Sequence, residues 1–169
     1  FRNLRHYLFN NLNDEDLKHI LIFSSCTLWV NGVRDMNDID VMCWKPINEL
    51  SHNAQQALLS ISENKIKELQ KKTKESFVDI SIKGTDTWPD YWDTHLENWA
   101  KESGANSFDE IVYNRQYHMC FIGLKITRLE VDIERRIIRN RSSSMMDLIM
   151  LRNIVDYEFY IPCIPVKIH

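Results

Sequence analysis

The sequence predicts an α/β (α+β) domain with a small mixed β-sheet, flanking helices and a helical C-terminal part. Three observations predict it. Three short β-type runs, Ile20–Phe23, Asp38–Trp44 and Phe77–Ile82, alternate with stretches of helical period. Only 4 Gly and 4 Pro occur in 169 residues, so most of the chain belongs in regular elements rather than long loops. That length suffices for one domain with its own core, and the 44% hydrophobic, 27% charged composition is that of an ordinary globular protein. A net charge of −3 argues against bulk nucleic-acid binding while leaving a local basic face open. No apolar run reaches the length that spans a bilayer, and no secretory leader is read. Phe1 is not an initiator residue and points to a fragment or a trimmed start. Cys26, Cys43, Cys120 and Cys163 are scattered without paired Cys/His spacing, which argues against zinc and for a reducing, cytoplasmic setting.

Asn13-x-x-Asp16 reads as a helix start, giving a short helix to about His19. Ile20–Phe23 is a buried strand, and Ser24-Ser25 opens a short helix to Val30. Asn31-Gly32 turns the chain into the strand Asp38–Trp44, which Pro46 ends. From Ile47 to Lys72 the spacing of Leu58, Ile61, Lys65, Ile66 and Leu69 is helical, and Lys71-Lys72 suit the negative end of the helix dipole. Phe77–Ile82 is the third strand, stopped at Gly84; Thr85–Pro89 is a loop, and Asp90–Lys101 is a helix broken by Gly104. Ser107-x-x-Glu110 reads as a capping box. Met119–Arg139 reads as one long amphipathic helix with Ile122, Ile126, Leu129, Ile133 and Ile137 as its buried stripe. Ser144-x-x-Asp147 starts a last helix to Val155, and Tyr157–Ile161 a terminal strand.

Asn37-Asp38-Ile39-Asp40-Val41 carries the chemistry. On a strand, Asp38 and Asp40 share one face while Ile39 and Val41 point to the core. Two like charges side by side are costly, and a divalent cation removes that cost. Asp79, inside the apolar third strand, adds a third carboxylate if that strand pairs beside the second. Such a triad is the minimum equipment for two-metal phosphoryl transfer. Ser24 and Ser25, at a helix start after the first strand, offer N–H and hydroxyl donors to phosphate.

Leu21-Ile22-Phe23-Ser24-Ser25, Gly32, Asn37-Asp38-Ile39-Asp40-Val41 and Val78-Asp79-Ile80 together resemble the nucleotidyltransferase superfamily of the DNA polymerase β type. The likeness spans residues 14–83, which it marks as the catalytic core, with 84–169 as a mainly helical C-terminal part of a single domain. It implies Asp38, Asp40 and Asp79 as catalytic metal ligands for Mg²⁺ or Mn²⁺. It implies a nucleoside triphosphate donor such as ATP, held by Ser24 and Ser25. The acceptor hydroxyl or phosphate could belong to a sugar, a small molecule, RNA or protein. Ser24 stands where the family usually has Gly. A phospho-group transferase acting on sugars in glycan assembly, or a non-catalytic binding module on the same fold, are the alternatives.

Lys125, Arg128, Arg135, Arg136 and Arg139 fall along one flank of the expected long helix, with Asp132 the only acid among them. They read as a solvated face with internal ion pairs, or as a phosphate-contacting face with Lys125 and Arg128 as its substrate-binding members. Trp88, Trp92 and Trp99, with Tyr91, read as core or as a stacking surface near Asp79. Asp86, Asp90 and Asp93 read as turn and cap residues, and the six histidines show no metal spacing.

Overall fold

The computed structural model describes residues 1–36, 38–71, 77–139 and 141–154. Its centre is a five-stranded mixed sheet in the order β3-β2-β1-β5-β4. The strands are β1 (Ile20–Phe23), β2 (Asp38–Cys43), β3 (Phe77–Ile82), β4 (His118–Phe121) and β5 (Leu124–Thr127). β1 runs antiparallel to β2 and parallel to β5, β2 is parallel to β3, and β4 is antiparallel to β5. Among the described residues eight α-helices surround it: α1 (Arg2–Asn11), α2 (Asp14–Leu17), α3 (Ser25–Val30), α4 (His52–Lys71), α5 (Trp92–Glu102), α6 (Phe108–Tyr113), α7 (Leu129–Arg139) and α8 (Ser142–Ile154).

Burial follows the pleat. Ile20, Ile22, Ile39, Val41, Ile80, Ile82, Leu124 and Ile126 point to one face and pack on Leu4 and Leu8 of α1 and on Ala54, Ala57 and Leu58 of α4. Leu21, Phe23 and Met42 point to the other, under Leu96 and Trp99 of α5 and Phe108, Ile111 and Val112 of α6. A third cluster, Leu28, Val33, Ile133, Leu148 and Leu151, joins α3, α7 and α8. All four residues of β1 are buried because helices cover both of its faces. The second face runs out of cover at the N-terminal ends of β2 and β3, which is where the aspartates lie.

Several expected starts hold. Asn13 caps α2, its side chain accepting the Asp16 N–H at 2.8 Å. Asp16, buried, in turn accepts from the Ser51 N–H at 3.1 Å and hydroxyl at 2.5 Å, fastening α2 to the start of α4. Gly32, at φ 70°, closes α3: its N–H bonds Trp29, and Val33 bonds back to Leu28. The strands at 20–23 and 77–82 run as the sequence predicts, and β2 ends one residue sooner, at Cys43.

Three expectations are corrected, and one helix goes unread. Met119–Arg139 is not one helix. Its first part is the β4–β5 hairpin, and α7 begins only at Leu129. Phe121 pairs with Leu124 across a two-residue turn, with Ile122 at φ 45° and Gly123 at φ 88°. Both positive angles belong to the turn type that fits strand twist. Ile122 and Ile126 are spaced for a helix, but Ile126 pairs beside Ile22; the open edge of β1 gives this segment backbone partners that a helix would not. Ile122 is therefore exposed at the hairpin tip. Ser107-x-x-Glu110 does not form the expected box: the Ser107 side chain makes no cap bond, and Glu110 accepts from the Asn106 N–H at 3.0 Å and amide at 2.9 Å. The stretch from Ile47 begins as a short 3-10 turn (Ile47–Glu49), and α4 starts at His52. Finally α1, which carries no capping signal, goes unread in the sequence; Leu4 and Leu8 bury it. The expected strand Tyr157–Ile161, the helix end at Val155, Asn37, Lys72 and Cys163 lie outside the described residues, as do the side chains of Lys65, Ile66 and Leu69. Among the described residues no helix is long and apolar enough to cross a membrane.

Candidate active site

The pleat of β2 sends Ile39 and Val41 into the core, 4% and 1% exposed, and leaves Asp38 and Asp40 on the opposite face. In the parallel ladder with β3, Asp40 stands directly opposite Asp79. Neighbouring strands lie about 4.8 Å apart, so the two carboxylates leave the same face from adjacent positions. The structure therefore brings the three predicted aspartates onto one surface at the open end of the sheet.

The turn after β1 reaches this surface. Ser24 sits at φ 65°, ψ −124°, a conformation that glycine adopts freely and a side chain rarely does. The Ser24 hydroxyl favours the charged form of the Asp40 carboxyl, and its N–H donates to Asp132 Oδ1 at 3.1 Å. Ser25, buried, donates its hydroxyl to Asp38 Oδ1 at 2.8 Å and also contacts the Asp38 carbonyl. Ser25 thus spends its hydroxyl on Asp38.

Burial, then the negative charge of Asp38, pushes the Asp40 carboxyl up to about 6; Asp79 adds to this, while Ser24 and Arg135 oppose it. Among the described residues no group of three or more His, Cys, Asp or Glu side chains is arranged to hold a metal ion. Cys26 and Cys43 are buried free thiols, and Cys120 is exposed.

A cleft of about 510 Å³ opens over Asp40 and Asp79. Its floor is Phe23, Asp40, Val41, Asp79 and Ser81 of the sheet; its walls are Thr87, Pro89 and Tyr91, then Trp92, His95, Leu96 and Trp99 of α5, and Arg135, Ile138, Arg139 and Arg141 at the end of α7. The three tryptophans separate here. Trp99 is core, fully buried, with its indole N–H on the Val131 carbonyl at 2.6 Å. Trp92 lines the cleft, edge-on to Phe23 at 6.3 Å. Trp88 packs between Trp92 and Trp44, with Lys83 Nζ 3.7 Å from the Trp44 ring centre. Tyr91 stands exposed at the mouth. Asp93 pairs with Lys83 at 3.4 Å, and Asp86 and Asp90 are exposed loop residues.

Two predicted phosphate-binding residues lie elsewhere. Lys125 is on β5, not on a helix, and its ammonium is held by the Lys18 and Val112 carbonyls, at the opposite end of β1 from Ser24. Burial lowers its pKa to about 8. Arg128 is exposed after β5, bonding the Arg115 carbonyl at 3.3 Å. Neither lines the cleft.

Among the described residues, the cations that line the cleft with Asp40 and Asp79 are Arg135, Arg139 and Arg141. Part of the flank expected to be solvated is buried: Arg135 and Arg136 are each 4% exposed and Asp132 is fully enclosed. Asp132 accepts Arg135 Nε at 3.1 Å and Arg136 Nε at 2.8 Å besides the Ser24 N–H. Arg136 also pairs with Asp147, which takes Arg34 Nε at 2.6 Å. This chain of charges ties the turn after β1 to α7 and α8. Its sequence signal was an acid three and four residues before two arginines beside an apolar stripe; only tertiary packing shows that the cluster turns inward. Comparison of the chain with protein-family models, with curated proteins and with solved structures finds no match, so its functional reading rests on this geometry.

Proposed function

We propose that this chain is a metal-dependent nucleotidyltransferase, moving a nucleotidyl group from a nucleoside triphosphate such as ATP to a hydroxyl or phosphate acceptor in the cytoplasm, with the α–β phosphoanhydride bond broken and pyrophosphate released. The observation that carries the reading is the pairing of Asp40 with Asp79 on the face that also bears Asp38, at the floor of a cleft with a cationic wall. Mg²⁺ or Mn²⁺ fits this donor set. Mg²⁺ commonly takes one or two carboxylates and completes its shell with substrate phosphates and water, so a ready-made three-carboxylate cage is not needed. Asp38, Asp40 and Asp79 would hold the ion, whose contribution when bound is neutralised phosphate charge and a more acidic acceptor hydroxyl. The chain's own residues do the rest. Ser25 fixes the carboxylate of Asp38 by a hydrogen bond, and Ser24 favours the charged form of Asp40. Asp79 is the carboxylate toward the acceptor and receives its proton. Trp92 and Tyr91 offer ring faces to the base or the acceptor.

A second reading, phospho-group transfer in glycan assembly, draws on Ser24. Its side chain occupies the turn where phosphates would approach the backbone, and its N–H is already bonded to Asp132. The test is α-labelled nucleoside triphosphates with Mg²⁺ or Mn²⁺ and mixed sugar, RNA and protein acceptors, for wild type and Asp79→Asn. Label transfer lost in the variant supports the first reading. Titrations in which an activated phospho-alcohol binds and nucleoside triphosphates do not would move the assignment to the second. Failure of both classes of donor to bind in the presence of metal would remove both.

A further inference from the structure

We propose that Arg135 and Arg139, one turn apart on α7, form an anion subsite for a phosphate chain across the cleft from Asp40 and Asp79. Arg135 is 4% exposed, yet it lines the cleft. Its guanidinium is fixed three ways: Nε on Asp132 at 3.1 Å, and the plane within 5.3 Å of the Phe23 ring centre and 5.7 Å of the Trp99 ring centre. Those contacts leave Nη1 and Nη2 without an acceptor among the described residues. Arg136 beside it differs. Its Nη1 is taken by Asp147 and its Nη2 is sealed in the interior, whereas the Nη atoms of Arg135 are not among the sealed, unsatisfied groups. A buried arginine that serves packing alone has its donors satisfied or sealed; this one is held at Nε and by two rings while its side chain borders the cleft. Rigid, weakly hydrated guanidinium is the preferred partner for phosphate oxygens, which it takes two at a time.

Arg139 lies four residues on, hence on the same face of the helix, lines the same cleft, and bonds no acceptor among the described residues. Arg141 adds a third positive charge at the rim. A carboxylate offers about four acceptor sites, fewer than the free N–H groups of the two forks, so the oxygens of a di- or triphosphate match them better. The wall is cationic and the floor anionic, an arrangement suited to a phosphate chain lying between guanidinium groups and a carboxylate-held cation. Phosphate of this kind could be the tail of the donor or belong to a phosphorylated acceptor. The subsite rests on the transferase reading only for the identity of the rest of that ligand.

The experiment is isothermal titration of the full chain in EDTA, so that no metal bridges the ligand to the aspartates. The probes are tripolyphosphate, glucose 1-phosphate and, as a phosphate-free control, adenosine. Variants are Arg139→Gln, an exposed side chain whose loss leaves folding intact, and Arg135→Lys, which keeps the charge and removes the fork. We expect phosphate binding without metal, weakened at least tenfold in each variant with circular dichroism unchanged, and no heat from adenosine. Preference for tripolyphosphate assigns the subsite to the donor tail, and preference for glucose 1-phosphate to the acceptor. Absence of metal-free phosphate binding, or equal affinity in wild type and Arg139→Gln, overturns the proposal. Asp40→Asn with Asp79→Asn separates the two ideas: it removes transfer if the transferase reading is right, and leaves metal-free phosphate binding as tight or tighter if the subsite is real.

Discussion

Replacing Asp132 with Ala tests whether the buried charges of α7 hold the turn after β1 in place. The side chain is fully enclosed and accepts three donors: Ser24 N–H at 3.1 Å, Arg135 Nε at 3.1 Å and Arg136 Nε at 2.8 Å. Removing one partner of a buried ion pair costs about 3–5 kcal/mol, because the charge left behind has neither water nor counter-ion. Two features move the expected figure to the lower end. Arg136 keeps Asp147, and Arg135 already borders the open cleft, where water can reach it. The Ser24 N–H loses its acceptor, and with it the contact that offsets the strain of φ 65°. We expect a loss of about 3 kcal/mol. At about 2–4 °C per kcal/mol for a chain of this size, the melting temperature falls by roughly 6–12 °C. Calorimetry and urea unfolding measure it, with an unchanged m-value showing that the denatured state is the same. Asp132→Asn keeps an acceptor for Ser24 and removes the charge, so its cost falls between wild type and Asp132→Ala. Because the pair is shielded from solvent, 1 M NaCl leaves most of the loss in place. A loss under about 1 kcal/mol, or one that vanishes in salt, would refute the reasoning.

Asp40 has a folded-state pKa raised from 3.8 to about 6, so the folded protein holds this proton more tightly than the unfolded chain. That relative stabilisation is complete below about pH 4 and is lost as pH rises through 6. Asp40→Asn is therefore expected to stabilise the protein at pH 8, by on the order of 2–3 kcal/mol, and to change little at pH 3.5; a pH-independent effect in paired melts would contradict the assigned cause. By the same logic Mn²⁺ raises the melting temperature of wild type at pH 8 and not that of Asp40→Asn combined with Asp79→Asn. Gly123→Ala meets a positive φ of 88° and places Cβ 2.6 Å from Phe9 Cζ. It should cost about 1–2 kcal/mol, read by urea denaturation, and a neutral result would contradict the hairpin geometry.

Where chemistry repeats at short range, the residues told the story themselves. The apolar run at 20–23 and the alternation at 38–43 and 77–82 are local patterns, so the strands and the outward faces of Asp38, Asp40 and Asp79 were legible from the chain. The same is true of the Asn13 cap and the Gly32 stop, whose signals lie within a few residues. Met119–Thr127 was not legible, because its spacing satisfies a helix and a strand equally and the vacant edge of β1, a hundred residues away, decides between them. Which cations face the carboxylates was settled in the same way: Lys125 and Arg128 drop out once their segment becomes a hairpin, while burial of Asp132 draws Arg135 inward. Sequence thus determined which side chains are paired with their near neighbours, and tertiary structure alone decided which distant groups meet, because the free energy of burying a charge or an open strand edge depends on partners that local spacing does not specify.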